Sequence, residues 1–274
     1  LADILRSNEI VTREQPASVI RTAVSPLDDR AVTGADLLIA VDMDPRALKS
    51  VQDLVPVILA NTGVAQPTSQ LAIQQASLPV IDQEHVEDML APVVVKYLGD
   101  GALAATRRLP ILRRAYGERL INETSHVNGL YAFATGVAET VPTLTIPLNV
   151  ADLVVLTKNQ LIMVYKLALA TGRPMSPSGV IGELLGVIGA GFLWRQIARE
   201  LVGLIPVIGI VPKVAVAYGG TYAVGQAAQT YLIEGEVPAA EQLKTLYTEA
   251  IDRGRALAQS LMRRNDRSSR SDKP

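Results

Sequence analysis

Residues 148–172, LNVADLVVLTKNQLIMVYKLALATG, constrain the fold more than any other stretch of the chain. Apolar side chains come here in unbroken runs, Leu153–Leu156 and Leu161–Val164. A half-buried strand would alternate instead, so the segment reads as a long helix. Placed at 100° per residue, Asn149, Asp152, Asn159, Gln160 and Lys166 fall within an arc of about 120°. Val150, Ala151, Val154, Leu161, Ile162 and Tyr165 cover the opposite side, and Gly172 follows as a C-cap. Lys158 falls at the centre of the apolar side. A buried, unpaired ammonium is costly, so Lys158 either finds a carboxylate or extends to a polar boundary. Glu183 is the best partner, as the only charge between Arg173 and Arg195, and Lys213 competes for it. The expected polar network is Asp152, Lys158, Asn159, Gln160, Glu183 and Lys213. The alternative leaves Lys158 and Glu183 facing solvent.

Composition points the same way. Hydrophobic residues make up 49% of the 274 and charged residues 19%, below the usual quarter or so for soluble domains. Aromatics are only 4%, so the apolar content is aliphatic and suits close-packed helices. With no cysteine, disulfides and thiolate metal sites are excluded. Two histidines, His85 and His126, would need carboxylates to complete a zinc site. His85 lies among Asp82, Glu84, Glu87 and Asp88, a set that reads as an acidic first helical turn. No metal, cofactor or catalytic residue set is expected. The net charge of −1 hides an asymmetry: residues 1–100 carry 7 basic and 14 acidic side chains, the remainder 19 and 13. The chain starts at Leu1, so an upstream segment is expected, and no secretory signal appears in the first 30 residues.

Along the chain, Leu37–Val41 reads as a short buried strand between Gly34 and Pro45. Asp44 and Pro45 then open a helix expected to run to Gly63 with a kink at Pro56. Residues 62–79 read as loop, and Asp82 caps the next helix. Helical spacing dominates from Gly101 to Glu139, and residues 140–149 are a proline-bearing connector. Further helices are expected at Val180–Glu200, Lys213–Ile233 and Pro238–Arg264. The fold class is therefore mainly α, a multi-helix bundle with glycine- and alanine-rich helices behind a small α/β-like segment. The expected divisions are 1–80, 81–236, an amphipathic helix at 237–264 and a disordered tail at 265–274. Gly182 and Gly186 are four apart, as are Ala215, Gly219, Ala223 and Ala227, which allows backbones to approach closely. No segment is a clean transmembrane helix. Arg107, Arg108, Arg113 and Arg114 form a basic cluster that could meet anionic headgroups.

Two stretches resemble catalytic motifs. Val154–Gln160 is similar to the guanine-reading edge of a GTPase, but Gln160 stands where a carboxylate must accept two hydrogen bonds. No phosphate loop accompanies it, since Leu48 precedes Lys49-Ser50 where glycine is required. Asp42 and Asp44 after an apolar strand, with Gly99-Asp100-Gly101, resemble the haloacid-dehalogenase-type phosphatases. Strand end and helix cap explain the same aspartates.

The segments from Ile146 to Gly172 and from Ile205 to Gly235 resemble the signature segments of the YcjF-like domain of unknown function. Pro147, Asp152, Asn159, Gln160, Met163 and Gly172 match the first; Ala217, Tyr218, Gly219, Thr221 and Gly225 match the second. The similarity covers roughly residues 105–236, with Leu109–Ala132 resembling the approach helix. It implies a membrane-associated helical domain on the cytoplasmic side, often C-terminal to an Era-like GTPase on one chain. Leu37–Val41 is also similar to a G-domain strand, which would make residues 1–80 a remnant of an upstream domain. The resulting expectation is a non-enzymatic module that associates with membrane, or with a GTPase in cis or in trans, through its small-residue helices. No nucleic-acid partner is expected, and oligomerisation stays open. The alternatives are a soluble helical scaffold, or a magnesium-dependent phosphatase-like site at Asp42, Asp44 and Asp100.

Overall fold

In the computed structural model, Pro56 ends a turn and opens a strand. It does not kink a helix. Proline restricts the residue before it to extended backbone, and the β-branched Val57 and Ile58 follow, so the expected helix to Gly63 gives way to β2, Val57–Asn61. β1 is Leu38–Val41 and β3 is Gln74–Ser77. The latter falls inside the stretch expected to be loop. The three pair in parallel in the order β1-β2-β3, with Leu38 opposite Val57 and Ile58 opposite Gln74. Val57, Ile58, Leu59 and Ala60 are all buried, as befits the middle strand of a parallel sheet covered on both faces. Between β1 and β2 the chain makes only a 3-10 turn, Pro45–Leu48, capped by the Asp44 carboxylate. Leu48, Val51 and Val55 from this connection pack with Val32, Ala40, Val57 and Leu59.

The described residues are 1–7, 9, 32–63, 74–139, 150–172, 176–184, 209–236 and 239–271. Helices dominate them: α1 (Ala2–Ser7), α2 (Ala91–Leu98), α3 (Ala102–Arg108), α4 (Arg113–Glu139), α5 (Val150–Ala170), α6 (Pro177–Leu184), α7 (Ile210–Gln229) and α8 (Ala240–Ser271). The Asp82 cap is in place, its carboxylate accepting from the His85 N–H at 2.8 Å. A π-helical turn, Val86–Leu90, leads from there into α2; Pro92 has no N–H to offer an α-helical bond at that point. Gly172, at φ +79, closes α5 as expected, its N–H reaching Leu169 O. α8 runs on to Ser271 where a disordered tail was expected. Neither glycine nor proline lies between Arg264 and Ser271 to stop it.

The chain divides into two compact units, Leu1–Arg119 with Leu169–Gly172, and Leu120–Ala168 with Arg173–Pro274. The boundary falls inside α4, so residues 81–119 go with the sheet and not with the helical domain expected at 81–236. Hydrogen bonding gives the reason: Arg119 donates to Val95 O at 2.7 Å and Arg113 to Ala170 O at 3.0 Å. In the second unit α7 is buried on nearly every side. Its main core joins Ile121, Met163, Val164, Leu167, Val180, Tyr222 and Leu232.

Candidate functional site: a helix with its amides inward

α5 presents to its neighbours the face that the helical wheel marks as polar. Met163, Val164, Leu167 and Ala168 are buried, and Asn159 and Gln160 lie half-buried on the same side. The side expected to pack inward faces out: Val154 is 59% exposed, Ile162 43% and Leu161 39%. Lys158, at the centre of that side, is exposed too. The wheel separated Asn159 and Gln160 from Val154, Leu161 and Ile162. It placed Tyr165, which packs on the main core, with the outward group, and Lys166, which is exposed, with the inward one. Which side turned inward was decided by partners on other helices.

Those partners are Asn128 of α4 and Thr221 of α7, both fully buried. Asn159 donates its side-chain amide to Asn128 Oδ1 at 2.7 Å. Asn128 Nδ2 donates to Thr221 Oγ1 at 2.8 Å and to Leu156 O at 3.3 Å. Gln160 Nε2 donates to the same hydroxyl at 3.1 Å, and the hydroxyl donates to Ala217 O at 2.7 Å. Thr221 thus uses its one proton and both lone pairs. This closed set lets a polar arc sit inside a bundle without stranded donors. The polar network expected from the sequence left out Asn128 and Thr221. The usable signal was spacing: Asn128 sits seven residues after Ile121 and four before Ala132, all on one helical face.

The remaining expected members lie elsewhere. Lys158 makes no ion pair with Glu183 among the described residues; Glu183 instead accepts from Tyr231 OH at 2.9 Å. An ammonium that reaches water needs no carboxylate. The stem of Lys213 lies against Gly136. Asp152 falls outside the described side chains and Gly186 outside the described residues.

The small-residue strip on α7 is used within the chain. Ala215 and Ala223 pack with Tyr247 and Ile251 of α8, Ala227 is buried, and a Cβ at Gly219 would stand 2.9 Å from Ile251 Cδ1. Gly254 on α8 answers it, with Ala215 Cα 2.7 Å from the place its Cβ would take. A cation–π contact from α8 to the stacked tyrosines of α7 spans this crossing. Tyr218 and Tyr222 stack at 6.4 Å and Arg253 lies 5.2 Å over the Tyr222 ring. Burial pushes the Tyr218 phenol up, against the opposing pull of Arg253. The other small residue expected at a helix contact, Gly182, is exposed with open space around it.

The arginine cluster is largely engaged inside the first unit. Arg108 pairs at 2.8 Å with Glu9, whose side chain is buried. Arg113 donates to Ala170 O and Thr171 O, and Arg114 reaches Asp88 and Glu118. Arg107 is exposed. At the sheet, Asp42 adopts φ +49 and accepts from the Thr62 N–H at 2.8 Å and hydroxyl at 2.6 Å. The Thr62 hydroxyl, then the Thr62 N–H, hold its carboxyl below the usual range. Asp44 is spent on its cap, and Asp100 is exposed between Gly99 and Gly101. Among the described residues no three histidines or carboxylates are grouped to hold a metal ion, so Asp42, Asp44 and Asp100 do not form the magnesium set of the phosphatase alternative.

The chain matches no family model, no curated protein and no solved structure.

Proposed function

We propose that this chain is a non-enzymatic helical module that docks on a membrane surface through the outer side of α5, as an accessory to a GTPase-type protein. One observation carries the reading: α5 turns its amides inward and leaves Val154, Leu161 and Ile162 in water. Val127 and Leu130 of α4 are exposed as well. Large apolar side chains exposed along one side of a helix, as Val154, Leu161 and Ile162 are on α5, mark an interaction surface more often than a solvated one. Among the described residues no helix is long and apolar enough to cross a membrane, which favours a helix lying in the interface plane. The GTPase connection, in cis or in trans, and the cytoplasmic side rest on the resemblance to YcjF-like domains. The strip Ala215, Gly219, Ala223 and Ala227 of α7, being consumed within the chain, is not the contact surface.

Flotation of the purified chain with liposomes tests this. The wild type is expected to float, and a Val154→Ser/Ile162→Ser variant with an unchanged circular dichroism spectrum is expected to stay at the bottom. A monodisperse wild type that never floats would turn the reading to a soluble helical scaffold.

A further inference from the structure

Among the described side chains, the outward side of α5 carries no carboxylate. It carries two exposed lysines, Lys158 and Lys166. Neither makes an ion pair among the described residues. Lys158 stands one turn after Val154 and one turn before Ile162, and Lys166 one turn further, so the row Val154-Lys158-Ile162-Lys166 spans about 18 Å at 1.5 Å per residue. Apolar side chains with cations in their midst are what a lipid headgroup region accommodates: the alkyl stems lie with the apolar groups and the ammonium ions reach phosphate oxygens. A second copy of the same face fits poorly, because a two-fold contact centred there would set like charges together.

We infer that this face selects anionic phospholipid, with Lys158 and Lys166 as its headgroup contacts in place of the arginines around Leu109–Leu112. The inference rests on the membrane reading above and adds the lipid class. Arg108 and Arg113 are held by Glu9 and by the end of α5, whereas the two lysines stand on the exposed apolar row itself.

The test is flotation with two vesicle types, phosphatidylcholine alone and phosphatidylcholine with about a third phosphatidylglycerol. It compares the wild type, Lys158→Gln/Lys166→Gln and Arg107→Gln/Arg114→Gln. The wild type is expected to favour the anionic vesicles at low salt. Each lysine near an anionic surface is worth about five-fold in partition, so the lysine variant should lose roughly 30-fold on them. The arginine variant should keep most of its binding. Equal wild-type binding to both vesicle types would overturn the anionic selectivity and leave the membrane reading standing. Anionic binding that survives the lysine changes and disappears with the arginine changes would overturn the assignment of the contacts. Absence from both vesicle types would overturn the membrane reading itself.

Discussion

The side-chain amide of Asn159 donates to Asn128 Oδ1 at 2.7 Å, and this bond holds α5 in the rotation that puts its apolar side outward. Asn128 is fully buried and also serves Thr221 and Leu156. Asn128→Ala would leave the Asn159 donor and the Leu156 carbonyl without it. Leaving buried polar groups unsatisfied costs about 1–3 kcal/mol. Urea unfolding should show a loss of about 2–3 kcal/mol, and Asn159→Ala in the Asn128→Ala background should cost less than it does alone. Additive losses would mean that the two amides are not coupled.

Lys158→Met tests the same rotation from outside. With Lys158 exposed, the change should move stability by less than about 0.5 kcal/mol. A buried pair with Glu183 would instead lose about 3–5 kcal/mol when broken, so the urea midpoint distinguishes the two arrangements directly.

Helices were legible where one residue class recurs at 3.6 spacing, which placed α5 with little error, whereas the helical spacing read from Gly101 to Glu139 is broken at Leu109–Leu112 into α3 and α4. The sheet was half legible. Leu37–Val41 carries an uninterrupted apolar run, whereas Val57–Asn61 follows a helix-cap signal whose turn stops after Leu48, and Gln74–Ser77 has no apolar pattern at all. Periodicity also gave the two sides of α5 but not their direction. Both sides carry enough leucine, valine and methionine to be buried, and the choice was made by Asn128 and Thr221, 31 and 61 residues from their partners Asn159 and Gln160. The lesson extends to charge: four arginines clustered in sequence looked free because Glu9, Asp88 and the end of α5 are distant in the chain.

The α7–α8 crossing depends on Gly254. Alanine is ordinarily worth about 1 kcal/mol over glycine inside a helix, but its Cβ here would stand 2.7 Å from Ala215 Cα, a backbone atom. Overpacking of this kind costs about 1–3 kcal/mol. Gly254→Ala should therefore lower stability, whereas Gly220→Ala, with nothing within 4 Å of the new methyl, should be neutral or raise it. Thermal unfolding of the two single variants checks the difference in sign.

Arg113 closes the C-terminal end of α5 with two donors, Nε to Ala170 O at 3.0 Å and Nη2 to Thr171 O at 2.9 Å. The last carbonyls of a helix have no partner within it, and a cation there also opposes the helix dipole. Arg113→Met should cost about 1.5–3 kcal/mol. Arg113→Lys should recover only part of that, since an ammonium cannot reproduce the planar fork. Full rescue by lysine in a urea titration would show that charge alone matters.

Asp42 gives the first unit a defined acid sensitivity. Its folded pKa is depressed by the Thr62 hydroxyl and then by the Thr62 N–H. A depressed carboxylate contributes stability that is fully present above its unfolded pKa, about 3.9, and is lost as the pH falls through the lower folded value. The site is exposed, so the contribution should stay below about 1 kcal/mol. In Asp42→Asn the new amide does not titrate, and asparagine tolerates the left-handed backbone angle at this position. The Asp82 carboxylate is also depressed, first by the His85 N–H, but it is common to both proteins and cancels in their difference. The wild type should therefore exceed Asp42→Asn in stability near neutral pH, with the gap holding down to about pH 5 and closing below about pH 4. Urea midpoints for both proteins across that range measure the gap. One that stays constant down to about pH 3, below the ordinary carboxylate range, would mean that Thr62 does not favour the ionised form of Asp42.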